Sequence, residues 1–217
     1  MGRKQRLRET KKNDPKCCPK PQEISKVIKS GNLKLLRKIG KFDVDKPLGG
    51  GLTPLALASF VGNLDVVRYL AGEAHADVNQ ARTDNGDTPL SIATEKENLD
   101  VVRYLAGEAH ADVNQATTDN GVTPLYIAAH NDNLDVVRYL AGEAHADVNQ
   151  ATTDIGCTPL FIAAQYGNLD VVRYLAGETH ADVNRARTDN GCTPLFIAAG
   201  MDNLDVVRYL AGEAHAD

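Results

Sequence analysis

Apolar residues recur along most of this chain at helical spacing, and the whole pattern returns every 35 residues. Within one unit, Leu134, Val137 and Leu140 fall on one face of a helix. A shorter apolar segment, 125–129, precedes them and ends in two alanines, whose small side chains allow a neighbour to approach closely. The pattern predicts two short helices in each unit, joined by a polar turn.

Polar residues at the ends of these segments indicate where the helices begin. Thr123 is the predicted N-cap of the first helix, and Pro124 follows at the first helical position, where a missing N–H costs nothing. Asn133 is the predicted N-cap of the second helix, and Asp135 lies in its first turn, where the helix dipole favours a negative charge. A polar loop, 146–158, leads to the next unit. Such short helices are unstable alone in water, so each unit must bury its apolar face against the next.

Five such units follow one another. Each opens with Thr-Pro-Leu, which places the units at 53–87, 88–122, 123–157, 158–192 and 193–217. The phrase NLDVVRYLAGEAHAD is identical at 63–77, 98–112, 133–147 and 203–217, and its copy at 168–182 differs only at Thr179. We therefore expect an all-α fold of stacked helix–turn–helix–loop units. Since the last copy ends without a loop or polar cap, we expect the C-terminal end to be frayed or covered by a partner.

The N-terminal part of the chain divides in two. Residues 1–22 contain eight Lys/Arg and no periodicity, and are predicted to form a basic disordered tail. Residues 23–52 contain two short amphipathic segments, 23–30 and 33–39, with a lysine-rich outer face. A terminal unit needs such a polar face for solubility, so 23–52 is predicted to be an N-terminal capping repeat.

The unit resembles the ankyrin repeat in its Gly-x-Thr-Pro-Leu-x-x-Ala-Ala, Asn-Leu-x-Val-Val-x-x-Leu and Ala-Asp-Val-Asn segments, and the resemblance covers 53–217. It implies an ankyrin-repeat solenoid that binds another protein and has no catalytic activity. The usual unit has about 33 residues; here one additional residue lies near the end of the second helix and one in the loop. The family's His after Thr-Pro-Leu is replaced, and His75, His110, His145, His180 and His215 stand where the family has a Gly.

Charge is distributed unevenly along the chain. Residues 1–46 contain 15 Lys/Arg and 5 Asp/Glu, a net charge of +10, whereas 47–217 contain 9 and 24, a net charge of −15. The acidic units are poor candidates for phosphate binding. An alternative function is therefore a polyanion tether, in which 1–22 contacts a membrane or nucleic acid and the units act as a spacer. Because no secretory signal or membrane-spanning segment is present, we expect a cytoplasmic protein.

The titratable residues do not form a pattern typical of catalysis. The five His at one place in each unit are too far apart to share a metal ion, and we expect them to cap helix C-termini. No Ser-His-Asp set, phosphate-binding Gly-rich loop or Cys-x-x-Cys is present, so we expect no enzyme activity, no cofactor, no metal and no small-molecule substrate. Cys157 and Cys192 are predicted to be free thiols, and the adjacent Cys17 and Cys18 to be either inert or a site of acylation or metal binding.

Differences between units cluster before Thr-Pro-Leu and around the end of the first helix. In proteins that resemble this one, these positions line the concave surface that binds partners. The second helices have barely changed, including Arg68, Arg103 and Arg138, which argues against drift at exposed positions. Partner contacts are predicted at Asp87, Ser91, Glu95, Lys96, Val122, Tyr126, His130, Asn131, Cys157, Phe161, Gln165, Tyr166, Cys192, Phe196, Gly200 and Met201.

Two alternatives stay open at this point. Tyr126, Phe161 and Phe196 follow Thr-Pro-Leu directly and face either a partner or the next unit. A uniform framework with local diversity also resembles designed ankyrin-repeat binders, and a recently duplicated natural array would look the same. In either case we expect a monomer that binds another protein.

Overall fold

The computed structural model describes residues 19–39 and 42–216, and this part of the chain forms twelve α-helices in six pairs. The first helices of the pairs are α1 Pro21–Lys29, α3 Pro54–Val61, α5 Pro89–Glu95, α7 Pro124–His130, α9 Pro159–Tyr166 and α11 Pro194–Gly200. The second helices are α2 Leu33–Lys38, α4 Leu64–Arg68, α6 Leu99–Arg103, α8 Leu134–Arg138, α10 Leu169–Arg173 and α12 Leu204–Gly212. The predicted all-α fold of paired helices is confirmed.

The first helices of the five repeat units begin at the predicted threonines. In each unit the threonine Oγ1 accepts a hydrogen bond from the backbone N–H three residues later, at 3.1 to 3.2 Å. The leucine of Thr-Pro-Leu is buried in the first four units, at Leu55, Leu90, Leu125 and Leu160. Successive first helices contact one another from α1 to α11, so these leucines form one continuous core.

The asparagines before the second helices act in two ways. Asn133 Oδ1 accepts a hydrogen bond from Val136 N–H at 3.1 Å, which confirms the predicted cap, and Asn63 caps α4 in the same way. Asn98, Asn168 and Asn203 instead donate from the side-chain amide to carbonyl oxygens near the end of the preceding unit's first helix. Among the five repeat units, asparagine therefore caps its own helix in two and joins neighbouring units in three; Asn32 caps α2 in the N-terminal pair.

Four of the second helices continue into a π-helical turn. These turns are Tyr69–Glu73, Tyr104–Glu108, Tyr139–Glu143 and Tyr174–Glu178. In a π turn the bond spans one residue more than in an α-helix, as from Ala144 N–H to Tyr139 C=O at 2.9 Å. The turn lies where the sequence places an additional residue, and the wider helix accommodates that residue without ending.

The histidines that replace the family's glycine lie shortly after these turns, or after α12 in the last unit, and adopt a left-handed backbone. Their φ angles lie between 53° and 59° in all five units. Their side chains are exposed and, within the described residues, form no hydrogen bond, so the expectation that they cap carbonyl oxygens is wrong. What the five units share at this position is the positive φ, which glycine adopts more easily than histidine does.

Hydrogen bonds also join the loops of successive units. Asp147 N–H donates to Asn114 Oδ1 at 2.8 Å, and Thr153 N–H donates to the Asn120 carbonyl oxygen at 2.9 Å. Gly121 lies at this contact with a φ of +73°, and a Cβ built on it would lie 2.7 Å from Thr153 N. The close approach of two loops thus requires glycine here.

At the N-terminal end, α1 and α2 form a helix pair that packs on α3. Helix α1 begins at Pro21, inside the segment predicted as a tail, because proline suits the first turn of a helix. The outer residues Lys26 and Lys29 are exposed, as a terminal unit requires. Residues 1–18, which include Cys17 and Cys18, lie outside the described residues, so the predictions for them stay predictions.

Candidate partner-binding surface

The residues that differ most between units lie at the C-terminal ends of the first helices. We call them the variable strip, and it consists of two residues from each unit: Phe60, Val61, Glu95, Lys96, His130, Asn131, Gln165, Tyr166, Gly200 and Met201. Because the first helices stack in chain order, these pairs follow one another along the array. The sequence places them on separate units, and stacking makes them neighbours.

Large side chains of the variable strip are exposed and touch across units. Tyr166 is 55 % exposed and Met201 50 %. The Lys96 ammonium lies 4.9 Å from the centre of the Phe60 ring, and the His130 and Tyr166 rings meet edge to face at 4.6 Å. Tyrosine is enriched among interface hot spots, so the exposed Tyr166 is a candidate anchor for a partner.

Three of the predicted contact residues are buried and do not belong to this surface. Phe161 is fully buried, Ser91 is 1 % exposed and Cys157 2 % exposed. Ser91 completes a capping box, since its Oγ accepts from Thr88 N–H and Thr88 Oγ1 accepts from Ser91 N–H. For these three residues the predicted partner contact is corrected, because their side chains have almost no surface that a partner could reach.

The other residues next to Thr-Pro-Leu have intermediate or high exposure. Asp87, Val122 and Cys192 are half-buried beside the loops, and Phe196 is 65 % exposed. Tyr126 is half-buried, and burial is the main cause that raises its pKa to about 12, with smaller contributions from Cys157 and Asp154. Its hydroxyl therefore stays protonated at neutral pH. The position after Thr-Pro-Leu thus faces the next unit at Phe161 and solvent at Phe196.

The list of predicted contacts omits two exposed residues of the first unit. Phe60 is 48 % and Val61 38 % exposed. Both lie at the C-terminal end of α3, which is the place that Glu95 and Lys96 hold at the end of α5. The sequence alone could have indicated these two residues, because the units align without gaps and the pair 60–61 differs from the equivalent pair in every other unit. Their exposure places them on the variable strip.

The constant second helices have a structural reason to stay the same. For every arginine of the second helices except Arg208 of the last unit, the guanidinium lies 5.4 to 5.8 Å from the ring centre of a tyrosine in the next unit, in the pairs Arg37–Tyr69, Arg68–Tyr104, Arg103–Tyr139, Arg138–Tyr174 and Arg173–Tyr209. The Tyr139 hydroxyl also donates to the Arg103 carbonyl oxygen at 3.1 Å. Contacts between units are therefore sufficient to keep these arginines constant. Their constancy is thus no argument that the variable positions were selected for binding rather than changed by drift.

The described residues also bear on metal binding, thiol chemistry and membrane insertion. Within 19–39 and 42–216, no group of three or more His, Cys, Asp or Glu is placed to hold a metal ion. The Cys157 and Cys192 thiols are free, and burial raises the pKa of Cys157 to about 11. None of the helices in this part of the chain has the length and apolar character that crossing a bilayer requires.

Comparison with known proteins agrees with the geometry. A family model described as ankyrin repeats, in three copies, matches residues 24–117, 81–152, 109–187 and 144–217. A search of curated proteins found no match to the chain. Ankyrin repeats generally mediate protein–protein interactions and are typically non-catalytic scaffolds. Since the family matches overlap from residue 24 to the last residue and the helix pairs stack as such repeats do, the chain belongs to the ankyrin-repeat family.

Proposed function

We propose that this protein is a non-catalytic binding module that holds another protein against the variable strip. The observation that carries the proposal is that side-chain diversity and exposure coincide there, on units that are otherwise nearly identical. Side chains that only support the stack have no reason to differ between units with the same neighbours. Side chains that recognise a partner do have a reason to differ between units, because specificity requires different groups at different places.

The chemistry of the strip suits a protein partner with both apolar and charged groups. Its first part combines Phe60 and Val61 with the Glu95–Lys96 ion pair, and its middle and last parts present Tyr166 and Met201. Exposed Tyr and Met can bury substantial area against a partner, while an exposed ion pair contributes only about 0 to 1 kcal/mol. We therefore expect the affinity to depend most on the half with Tyr166.

A photo-crosslinking experiment tests the proposal without knowledge of the partner. A photoreactive phenylalanine derivative replaces Tyr166 in the full chain, and the control carries it at Glu178, which is exposed in the same unit but lies in the π turn. We expect a cell extract to give discrete protein adducts from position 166 and none from position 178. Both variants should keep the circular dichroism spectrum of the unmodified chain.

Equal adducts from both positions would contradict the proposal, since they would show that contact does not prefer the variable strip. Once an adduct is identified, Tyr166→Ala should weaken binding of that protein at least about tenfold, in the range of interface hot spots. Arg173→Ala is a poor control, because Arg173 stacks on Tyr209 of the next unit. Glu178→Ala is the matched control and should leave the affinity unchanged.

A further inference from the structure

Cations lie over most of the aromatic rings of this protein, but not over those in the middle of the binding surface. Besides the five arginine–tyrosine pairs of the second helices, Lys96 lies over Phe60, and Arg187 lies 5.6 Å from the centre of the Phe161 ring. Among the described residues, the rings without such a cation are Phe42, Tyr126, Tyr166 and Phe196. Tyr126 and Tyr166 belong to neighbouring units, and His130, one turn after Tyr126 on α7, contacts the Tyr166 ring.

The loops beside these tyrosines differ in charge from the flanking loops. In the flanking loops an arginine neutralises the aspartate two residues later, at an N···O distance of 2.5 Å in both Arg82–Asp84 and Arg187–Asp189. These arginines also donate from Nε, at 3.0 Å, so each pair is bidentate. The flanking loops therefore present little net charge to a partner.

The two central loops have threonine in place of arginine. Thr117 and Thr152 accept backbone N–H bonds from Val122 and Cys157, each at 3.0 Å, and neither carries a positive charge. Hydrogen bonding from Thr152 and the more distant charge of Arg187 lower the pKa of Asp154, so this carboxylate stays ionised. Within residues 42–216, neither Asp119 nor Asp154 takes part in an ion pair. Both aspartates are exposed, and the bond from Thr153 N–H to the Asn120 carbonyl oxygen holds their loops together.

We infer that the patch formed by Tyr126, Tyr166, Asp119 and Asp154, which we call the central patch, binds an arginine side chain of the partner protein. This inference rests on the proposed protein-binding function and names the chemistry of the partner. A guanidinium group stacks on an aromatic face and forms a bidentate bond with a carboxylate, so it matches both features of the patch. An anionic group would be repelled by two unpaired carboxylates, and a purely apolar group would remove water from them without replacing their hydrogen bonds.

Charge elsewhere on this surface supports the same chemistry. Within the described residues, the cations Arg82, Lys96 and Arg187 are all paired with carboxylates of their own unit. Near the central patch, Arg187 is thus already paired with Asp189, whereas Asp119 and Asp154 lie outside any ion pair of the described residues and the Tyr166 side chain is exposed. The protein already uses this combination internally, since Arg187 both stacks on Phe161 and pairs with Asp189.

The test uses the smallest probe that carries the group. Nα-acetyl-arginine amide is titrated into the ¹⁵N-labelled full chain at millimolar concentration, and amide shifts are followed by NMR. Nα-acetyl-citrulline amide, which has the same shape without the charge, is the control probe. We expect the arginine probe to shift the amides of 119, 126, 154 and 166 and the citrulline probe to leave them unchanged. The double variant Asp119→Asn/Asp154→Asn should lower the affinity for the arginine probe about tenfold.

A control variant removes the same charge from another surface. Glu143→Gln/Glu178→Gln changes two exposed carboxylates of the π turns, and should bind the arginine probe as the unchanged chain does. Equal losses in both double variants, or equal shifts with both probes, would overturn the inference. So would shifts of the same amides on replacing Arg3, Arg6 and Arg8 by glutamine, since the chain's own N-terminal segment would then occupy the patch.

These outcomes are separate from those of the crosslinking experiment. If position 166 gives adducts and the arginine probe does not bind, the partner-binding proposal stands and its arginine chemistry is wrong. If neither position gives selective adducts, the proposed function fails even where the probe binds the patch.

Discussion

Replacing Asn168 by alanine tests whether the asparagine before the second helix joins two units. Asn168 Nδ2 donates to the Ala129 carbonyl oxygen at 2.8 Å and to the His130 carbonyl oxygen at 3.1 Å. Both carbonyls belong to the last turn of α7, where helix geometry leaves them without a partner inside the helix. The Asn168 side chain makes no hydrogen bond to the N-terminus of its own helix, so the substitution removes only contacts between units.

The expected cost follows from the burial of the two acceptors. Ala129 is fully buried, and a buried carbonyl left unpaired costs about 1 to 3 kcal/mol. His130 is exposed, so water can replace the lost bond there, and we add about 0.5 kcal/mol or less. Asn168→Ala should therefore lower the free energy of unfolding by about 2 kcal/mol, within a range of about 1 to 3.5 kcal/mol. Asn133→Ala removes a cap from its own helix and should lower it by about 1 kcal/mol.

Urea unfolding followed by circular dichroism measures both values in the full chain. Because Asn168 joins the third and fourth units, its loss should also broaden the transition and lower the apparent m-value, as weaker coupling does in repeat proteins. Equal destabilisation by the two substitutions, within about 0.5 kcal/mol, would refute the assignment of separate roles. A larger loss for Asn133→Ala would refute it as well.

Three further predictions concern the backbone and one tyrosine. His145→Gly should raise the free energy of unfolding, measured in urea, by about 1 kcal/mol, because φ is 56° there and the side chain forms no hydrogen bond within the described residues. A loss of stability would show that the imidazole has a stabilising role. Gly121→Ala should cost about 2 kcal/mol more than Gly191→Ala, since both have φ above +70° but only Gly121 faces a neighbouring backbone N; similar costs would argue against the loop contact. Tyr126 should ionise near pH 12 in an absorbance titration, and Tyr126→Phe should remove that late step. Its raised pKa means that the stability it contributes is complete below pH 10 and is lost between pH 10 and about 12; an unchanged titration in the variant would contradict this.

Much of the fold could be predicted from the sequence because local rules and repetition agree. Threonine before proline gives the N-cap, and an identical apolar pattern in each unit gives the stacking face, as Thr123 and Leu125 illustrate. The binding surface was harder to predict, because exposed and buried residues at equivalent positions look alike in sequence. Phe161 and Phe196 hold the same place in their units, yet one is fully buried and the other 65 % exposed. Which of them is covered depends on whether another unit packs there.

The fifteen-residue phrase shows most clearly what the sequence alone determines and what it does not. It sets a second helix that begins after an asparagine, an apolar face and a positive-φ exit in every unit, because these depend on neighbours along the chain. Yet 133–147 forms a π turn at Tyr139–Glu143, whereas the identical 203–217 stays α-helical to Gly212. In the copy at 133–147, the Tyr174 hydroxyl of the next unit would lie 2.6 Å from a Cβ on Gly142. A Cβ on Gly212 would have no described atom within 4 Å beyond its chain neighbours and its own helix backbone. The wider turn thus occurs where a tyrosine of the next unit packs against it, so the tertiary structure decides it.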